Sequence, residues 1–133
     1  MAEQLASLRK KGGLIETALW TNPSPTAAFN AQAVTLSDSL QNYDYIRVYW
    51  KSRRGQTAET YADFPKATVI GSVVAIDANC VTISSYDETG QYFFIRSVRY
   101  ASDTSLNIST AYRLNYAASN NVYVVPTQIC GLK

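Results

Sequence analysis

The sequence predicts an all-β protein, an antiparallel β-sandwich or jelly-roll-like fold with a short N-terminal helical or extended arm. Short segments rich in β-branched and aromatic residues alternate between apolar and polar positions. Turn-forming residues separate these segments roughly every 8–12 residues, a spacing typical of sandwiches and jelly rolls. No helical segments alternate with the strands, which argues against a parallel α/β fold.

The length and composition favour one folded domain. The chain has 133 residues, of which 47% are hydrophobic and 17% are charged. Average soluble domains carry roughly 25% charged residues, so this surface is unusually poor in charge. Ten tyrosines add contact area without adding charge. We therefore expect residues 14–133 to form a single β-sandwich domain with surface suited to contacts.

Residues 1–13 are predicted to form an attachment arm. Residues 2–11 (AEQLASLRKK) are good helix formers, and Gly12-Gly13 ends the segment. A helix of this length is marginal alone, so the arm should become ordered only against its own domain or a partner. The residues expected to make the attachment are Leu5, Leu8, Arg9, Lys10 and Lys11.

The remaining chain is predicted to contain eight or nine strands. The strand candidates are residues 14–20, 31–37, 43–51, 67–76, 80–86, 91–101 and 105–116, followed by NVYVVP (121–126) and TQICGL (127–132). Pro23 and Pro25 interrupt regular pairing after the first strand. Residues 52–66 are polar and predict a long connection. Asp77-Ala78-Asn79 is a candidate hairpin turn.

The segment YDYIRVYWK (43–51) has an unusual polar side. Ile46, Val48 and Trp50 alternate onto a predicted core face. The opposite side and the turn after it carry Tyr43, Tyr45, Arg47, Tyr49, Lys51, Arg53 and Arg54. Tyrosine and arginine are enriched at protein interfaces, which favours an interface. Two alternatives stay open: a platform on which sugars stack, and tyrosines that only cover a neighbouring loop.

The charge distribution gives no support for binding to nucleic acid or membrane. The net charge is +2, and Arg9, Lys10 and Lys11 against Glu3 account for it, so nine basic and nine acidic residues balance elsewhere. A nucleic-acid partner normally requires a clustered basic face. No apolar run reaches the length of a membrane span, and the N-terminus lacks the pattern of a signal peptide. We expect synthesis in the cytoplasm.

Catalytic chemistry is not expected. The chain contains no histidine, so Ser-His-Asp and Cys-His triads are excluded, and no glycine-rich phosphate loop is present. The candidate carboxylate pairs are Asp87-Glu88, which a turn explains, and Glu59 with Asp63, in a polar segment. No cofactor is expected and no metal site. Without histidine a Cys/His zinc site is impossible, and Cys80 and Cys130 are interpreted as two buried thiols, with a disulfide left open.

Residues 18–51 resemble a pattern of small structural proteins from tailed phages and prophages. The pattern comprises Leu-Trp-Thr-Asn (19–22) with a Pro-Ser-Pro turn, Phe-Asn-Ala-Gln (29–32), Val-Thr-Leu (34–36) and Tyr-Asp-Tyr-Ile-Arg-Val (43–48). The resemblance covers about a quarter of the chain and defines no catalytic residues. It implies a virion protein, associated with tail, fibre or head, that assembles with other virion proteins and with copies of itself, a trimer being favoured.

Two functional hypotheses follow. The first is a non-enzymatic phage virion protein, made in the bacterial host, that assembles through the tyrosine-rich strand face and attaches to the particle through residues 1–13. The second is a carbohydrate- or host-surface-binding module that uses some of the aromatic residues of this strand face to bind a surface glycan. The sequence leaves open the place in the virion, the symmetry and whether a glycan is bound.

Overall fold

A computed structural model of the protein describes residues 13–71, 80–113 and 118–133. Most of these residues lie in antiparallel β-strands. The strands are β1 (Glu16–Thr21), β2 (Gln32–Thr35), β3 (Tyr45–Arg53), β4 (Thr60–Pro65), β5 (Cys80–Tyr86), β6 (Phe93–Ser102), β7 (Ser105–Ile108), β8 (Tyr112–Arg113) and β9 (Tyr123–Leu132). A 3-10 turn (Leu40–Asn42) and a short α-helix, α1 (Lys66–Ile70), complete the regular structure in these ranges.

The strands form two sheets, and the chain crosses repeatedly between them. The first sheet has the order β1-β9-β3-β4, so the first and last strands are neighbours. The second has the order β2-β7-β6-β5, and β8 pairs with β6. Every strand pair is antiparallel. The prediction of an all-β antiparallel fold is therefore confirmed.

One hydrophobic cluster joins the two sheets. From the first sheet it contains the alternating residues Ile46, Val48 and Trp50 of β3, which are at most 7% exposed. From the second it contains residues such as Ile83 and Leu106, which are at most 1% exposed. The indole Nε1 of Trp50 also donates a hydrogen bond of 2.9 Å to Ser85 Oγ, which links the sheets directly. The predicted core face of this strand is confirmed.

A fully buried arginine fastens β6 to the start of β9. The guanidinium of Arg96 donates to four backbone carbonyl oxygens, of Val124 (2.6 Å), Ser109 (2.8 Å), Asn121 (3.2 Å) and Tyr123 (3.2 Å). Burial lowers the pKa of Arg96 to about 10, so the group stays charged at neutral pH. Val124 has a φ of 49°, a conformation that β-branched residues rarely adopt. The bond to its carbonyl helps to hold this strained backbone in place.

The structure differs from the sequence prediction in the middle of the chain. Residues 52–66, predicted to be a connection, contain the edge strand β4, whose pairing with β3 is regular. Residues 66–70, placed partly in a predicted strand, form α1, because Val69 reaches the core from a helical turn. Gly71 ends α1, and the rest of that predicted strand and the turn at 77–79 fall in residues 72–79, which lie outside the described residues.

Two further boundaries differ towards the C-terminus. The predicted strand 105–116 is interrupted at residues 109–111, where the backbone carbonyl of Ser109 accepts from Arg96. Residues 121–132 were predicted as two strands divided at Pro126, and residues 123–132 of this range form the single strand β9. Pro126 fits there because it pairs with Trp50 where the register between β3 and β9 shifts, and proline is tolerated at such bulges.

Candidate functional site

The predicted tyrosine-rich face is formed by the side of β3 that points away from the core. We call Tyr45, Arg47, Tyr49 and Lys51 the β3 face. Arg47 is 8% exposed, and the other three are half-buried. In β4 the residues directly opposite are Pro65, Asp63 and Tyr61, which pair with Tyr45, Arg47 and Tyr49. Directly opposed residues of an antiparallel pair share a side of the sheet, so these side chains extend the β3 face.

An ion-pair network occupies the centre of the β3 face. Arg47 Nε donates to Asp63 Oδ1 (2.6 Å) and Nη2 to Asp63 Oδ2 (3.0 Å). Nη1 donates to Glu16 Oε2 (2.7 Å) and to the hydroxyl of Tyr49 (3.3 Å). The hydroxyl of Tyr49 in turn donates to the Glu16 carboxylate, 2.9 Å from Oε2. The hydrogen bond to Asp63 is the main reason that the pKa of Arg47 is raised. Four of its five N–H donors are used within the protein.

This network spans the width of the first sheet. Glu16 lies in β1, Arg47 in β3 and Asp63 in β4, and β9 runs between β1 and β3. The side chains of Glu16, Arg47 and Asp63 are 3%, 9% and 7% exposed. The pair between Arg47 and Glu16 therefore crosses β9, where Cys130, directly opposite Arg47, is fully buried. The ions are shielded from water, which strengthens each interaction and makes removal of one partner costly.

Tyr61 covers one side of the Arg47 guanidinium. Its ring centroid lies 4.2 Å from the guanidinium carbon, within cation-π distance, and 5.5 Å from the ring centroid of Tyr49. Tyr61 is nevertheless 53% exposed. Tyr61 was not predicted to belong to this face, because residues 52–66 were interpreted as a connection. The alternation of Tyr61 and Asp63 with Ala62 and Phe64 is the signal that could have identified this strand.

Of the three other residues predicted for the same face, Tyr43 lies in the core, and Arg53 and Arg54 lie at the end of β3. Tyr43 precedes β3, is 4% exposed and belongs to the core cluster, where its hydroxyl donates to Asp38 Oδ2 at 2.9 Å. Burial is the main reason that its pKa is raised. Arg53 and Arg54 are exposed where β3 ends. The predicted arm residues lie outside the described residues; these are Leu5, Leu8, Arg9, Lys10 and Lys11.

A second candidate site is a cleft of about 460 Å³ at one end of the two sheets. We call it the end cleft. It lies between the end of β3 with its loop to β4 and the turn that joins β5 to β6. Its lining includes Arg53, Gln56, Ser85, Tyr86, Asp87 and Glu88. Tyr86 is 59% exposed, the largest exposed fraction among the described tyrosines. The cleft thus combines an aromatic ring with charged and hydrogen-bonding groups.

The groups in the end cleft are held by their own neighbours. The carboxylate of Asp87 accepts from the Thr89 hydroxyl at 2.8 Å and from the backbone N–H groups of Gln91 and Tyr92, so Asp87 shapes the turn. Glu88 Oε2 accepts from the hydroxyl of Tyr123 at 2.6 Å. That hydrogen bond holds the pKa of Glu88 below its ordinary value and is the main reason that the pKa of Tyr123 rises to about 12. Glu88 is therefore ionised at neutral pH.

The carboxylates considered for catalysis are engaged in other contacts. Asp63 binds Arg47, whereas Glu59 accepts from the Thr127 hydroxyl at 2.5 Å, in a separate cleft of about 250 Å³.

Within the described parts of the chain, no group of three or more Asp, Glu, Cys or His residues could hold a metal ion. Likewise, no helix in the described ranges is long and apolar enough to cross a membrane. Cys130 lies in the first sheet and Cys80 begins β5 in the second.

Comparison with known proteins adds no functional assignment. No model of a known protein family matches the sequence, and a search of curated proteins gives no match. What the structure defines is a class of protein, an all-β chain of two antiparallel sheets that share one core. Any function must therefore be argued from the surfaces described above.

Proposed function

We propose that the protein is a non-enzymatic structural component of a tailed-phage or prophage virion. The observation that carries this proposal is the resemblance of residues 18–51 to small phage structural proteins. In the fold this run supplies most of β1, all of β2 and most of β3, strands from both sheets. Its residues in the shared core include Leu19, Phe29, Val34, Leu36, Ile46 and Val48. The resemblance therefore concerns the framework of the fold.

The proposed mode of self-assembly uses the β3 face. Arg47, Glu16 and Asp63 form a rigid charged base, because their bonds are short and their side chains are nearly buried. Around this base Tyr45 and Tyr49 are half-buried and Tyr61 is exposed. Tyrosines held in fixed orientations lose little entropy on contact, which suits an interface. The resemblance favours a trimer, with residues 1–13 attaching it to other virion proteins.

The proposed architecture is a jelly-roll-like sandwich formed by residues 14–133. Two features support it: β1 and β9 are neighbours in one sheet, and β2 and β7 are neighbours in the other. In a fold made of two Greek keys, strands from the start of the chain likewise pair with strands from later in the chain. The hairpin of β3 and β4 within one sheet is a departure from the regular pattern. A non-enzymatic role is supported by the absence of histidine and by the engaged carboxylates.

The proposal is tested by incorporation into particles. Full-length protein, the chain beginning at Leu14, and the Tyr45→Ala and Tyr49→Ala variants would each be supplied to a phage that lacks the gene. We expect purified virions to contain the full-length chain, to lose the truncated chain and to contain less of each variant. Asn107→Ala, a change at an exposed position of β7 in the second sheet, is the control. If the full-length chain is absent from virions the proposal is wrong, and unaffected tyrosine variants contradict the β3 interface.

Binding of a surface carbohydrate is the second candidate function. The observation that favours it is the set of exposed tyrosines away from the β3 face, which includes Tyr86, Tyr92 and Tyr112. Exposed aromatic rings provide the flat apolar surfaces on which sugar rings stack. On this proposal the chain recognises a glycan on the host surface. The test of this proposal is to measure carbohydrate binding by the isolated chain in the absence of virions.

A further inference from the structure

The β3 face is poorly suited to holding a sugar. Four of the five N–H donors of Arg47 are bonded to Asp63, Glu16 and Tyr49. The ring of Tyr61 covers the guanidinium, and the hydroxyl of Tyr49 is bonded to Glu16. A sugar hydroxyl would have to displace one of these interactions, which would leave a nearly buried charge without its partner. A glycan must therefore be held elsewhere if the protein binds one.

We propose that the end cleft is a binding site for a neutral saccharide, which stacks on Tyr86 and hydrogen-bonds to Glu88 and Arg53. This inference rests on the second candidate function and is independent of a place in a virion. The volume of about 460 Å³ lies within the range of roughly 300–1,000 Å³ typical of small-molecule sites. The end cleft combines an aromatic surface with a few polar groups, as small-molecule binding sites usually do.

Tyr86 provides the stacking surface. It ends β5 and is 59% exposed. Its ring packs edge-to-face against Phe93, directly opposite in β6, with centroids 4.8 Å apart and an angle of 66° between the planes. Phe93 thus restricts the ring of Tyr86 without covering it. A ring that is already oriented loses less entropy when a ligand binds.

Glu88 provides a fixed hydrogen-bond acceptor. Tyr123 donates to its Oε2 at 2.6 Å, and Tyr123 is itself stacked on Phe94 with centroids 4.3 Å apart. A carboxylate has about four acceptor sites, so the bond from Tyr123 leaves Glu88 able to accept a hydroxyl of the ligand. Arg53 is exposed and contributes N–H donors to the same cleft. A ligand hydroxyl can donate to Glu88 or accept from Arg53, so a ligand rich in hydroxyl groups matches these two side chains.

The charge of the end cleft favours a neutral ligand. Asp87 and Glu88 outweigh Arg53 there, so the cleft carries a net negative charge. An acidic sugar or a phosphate would be repelled by these carboxylates. An apolar ligand would instead leave Glu88, Arg53 and Gln56 desolvated without partners, at a cost for each group. A sugar with several hydroxyls and one apolar ring face avoids both penalties.

The experiment is a binding titration of the isolated full-length chain by NMR. The probes are the methyl glycosides of glucose, galactose and N-acetylglucosamine, with N-acetylneuraminic acid as the acidic comparison. We expect at least one neutral probe to bind with a Kd of about 1 mM and to shift signals of Tyr86 and its neighbours. Tyr86→Ala and Glu88→Gln should each weaken this binding about tenfold. Tyr61→Ala, which removes a similarly exposed tyrosine outside the cleft, should leave it unchanged.

The results that would contradict the end-cleft inference can be distinguished from those that bear on the two candidate functions. No binding of any neutral probe, stronger binding of N-acetylneuraminic acid, or unchanged affinity in both cleft variants would overturn the inference. If Tyr61→Ala alone weakens binding, the ligand lies on the β3 face and the second candidate function survives without the end cleft. The unfolding midpoint of each variant is measured alongside, and Glu88→Gln keeps the inference testable if Tyr86→Ala proves unstable. Virion incorporation is not involved, so the first candidate function is unaffected.

Discussion

Arg47 and Asp63 face each other across β3 and β4 and form a two-pronged ion pair. Nε lies 2.6 Å from Oδ1 and Nη2 lies 3.0 Å from Oδ2, and both side chains are less than 10% exposed. This geometry matches the planar guanidinium to the planar carboxylate. Because Arg47 also reaches Glu16 in β1, one side chain connects both edge strands of the first sheet.

Asp63→Asn should destabilise the protein strongly. The substitution keeps the size of the side chain but leaves Arg47 with Glu16 as its only ionic partner in the network. Removal of one member of a buried pair costs about 3–5 kcal/mol, and because the contact with Glu16 remains, the expected loss is about 3 kcal/mol. Urea unfolding monitored by fluorescence measures it. Asp44→Asn, a change at an exposed position just before β3, should cost less than about 0.5 kcal/mol. Equal losses in the two variants would show that the ion pair contributes no stability.

Gly131→Ala should conflict with Tyr43. A Cβ atom at position 131 would overlap the Tyr43 ring, so the buried ring would have to move. Overpacking of a core usually costs about 1–3 kcal/mol. Thermal unfolding should show a lower Tm for this variant. In a double-mutant cycle with Tyr43→Ala, the second substitution should remove most of the added cost of Gly131→Ala. Strictly additive losses would mean that the two residues do not conflict.

Tyr123→Phe should change how stability depends on pH. The raised pKa of Tyr123, about 12 against an ordinary 10.0, means that its bond to Glu88 stabilises the fold below pH 10 and is lost as pH rises towards 12. The lowered pKa of Glu88 means that the contribution of this carboxylate is present above pH 4.5 and is lost as pH falls below that value. Without the phenol hydroxyl, both pH dependences should become weaker.

The pKa of Glu88 is the most direct readout of this hydrogen bond. Carboxyl NMR titration should give a pKa below 4.5 in the unaltered protein and a higher one in Tyr123→Phe. Tyr100→Phe is the matched control, since it removes a comparable hydrogen bond of 2.7 Å from a tyrosine to Asp103. That variant should leave the pKa of Glu88 unchanged. An unaltered pKa in Tyr123→Phe would exclude a role for the bond in solution.

Strands were predicted correctly where the apolar positions in the sequence coincide with the buried positions of the strand. The alternation of Ile46, Val48 and Trp50 identified the core face of β3, and the apolar run CVTISSY coincides with β5 (Cys80–Tyr86). The edge strand β4 was missed because its outer residues are polar or exposed. Helix α1 was missed because its Val and Ile favour strands, whereas the fold places Val69 in the core from a helix.

The candidate site was harder to predict because its partners come from distant segments. Period-two spacing within β3 places Tyr45, Arg47, Tyr49 and Lys51 on one side of the strand. Nothing local to Arg47 indicates that Glu16, 31 positions earlier, accepts its hydrogen bond. Tyr43 was assigned to the same side by alternation, but it precedes β3, so the alternation does not apply to it. The end cleft likewise joins residues from both sheets.

The native mass in solution tests the central claim of self-assembly most directly. Light scattering on a sizing column would be applied to the full-length chain and to the chain beginning at Leu14. Self-assembly through the β3 face predicts a trimer in both cases, because these contacts lie within the sheets. A monomer in both cases would contradict self-assembly, and a trimer that dissociates on truncation would contradict the β3 face as the subunit interface.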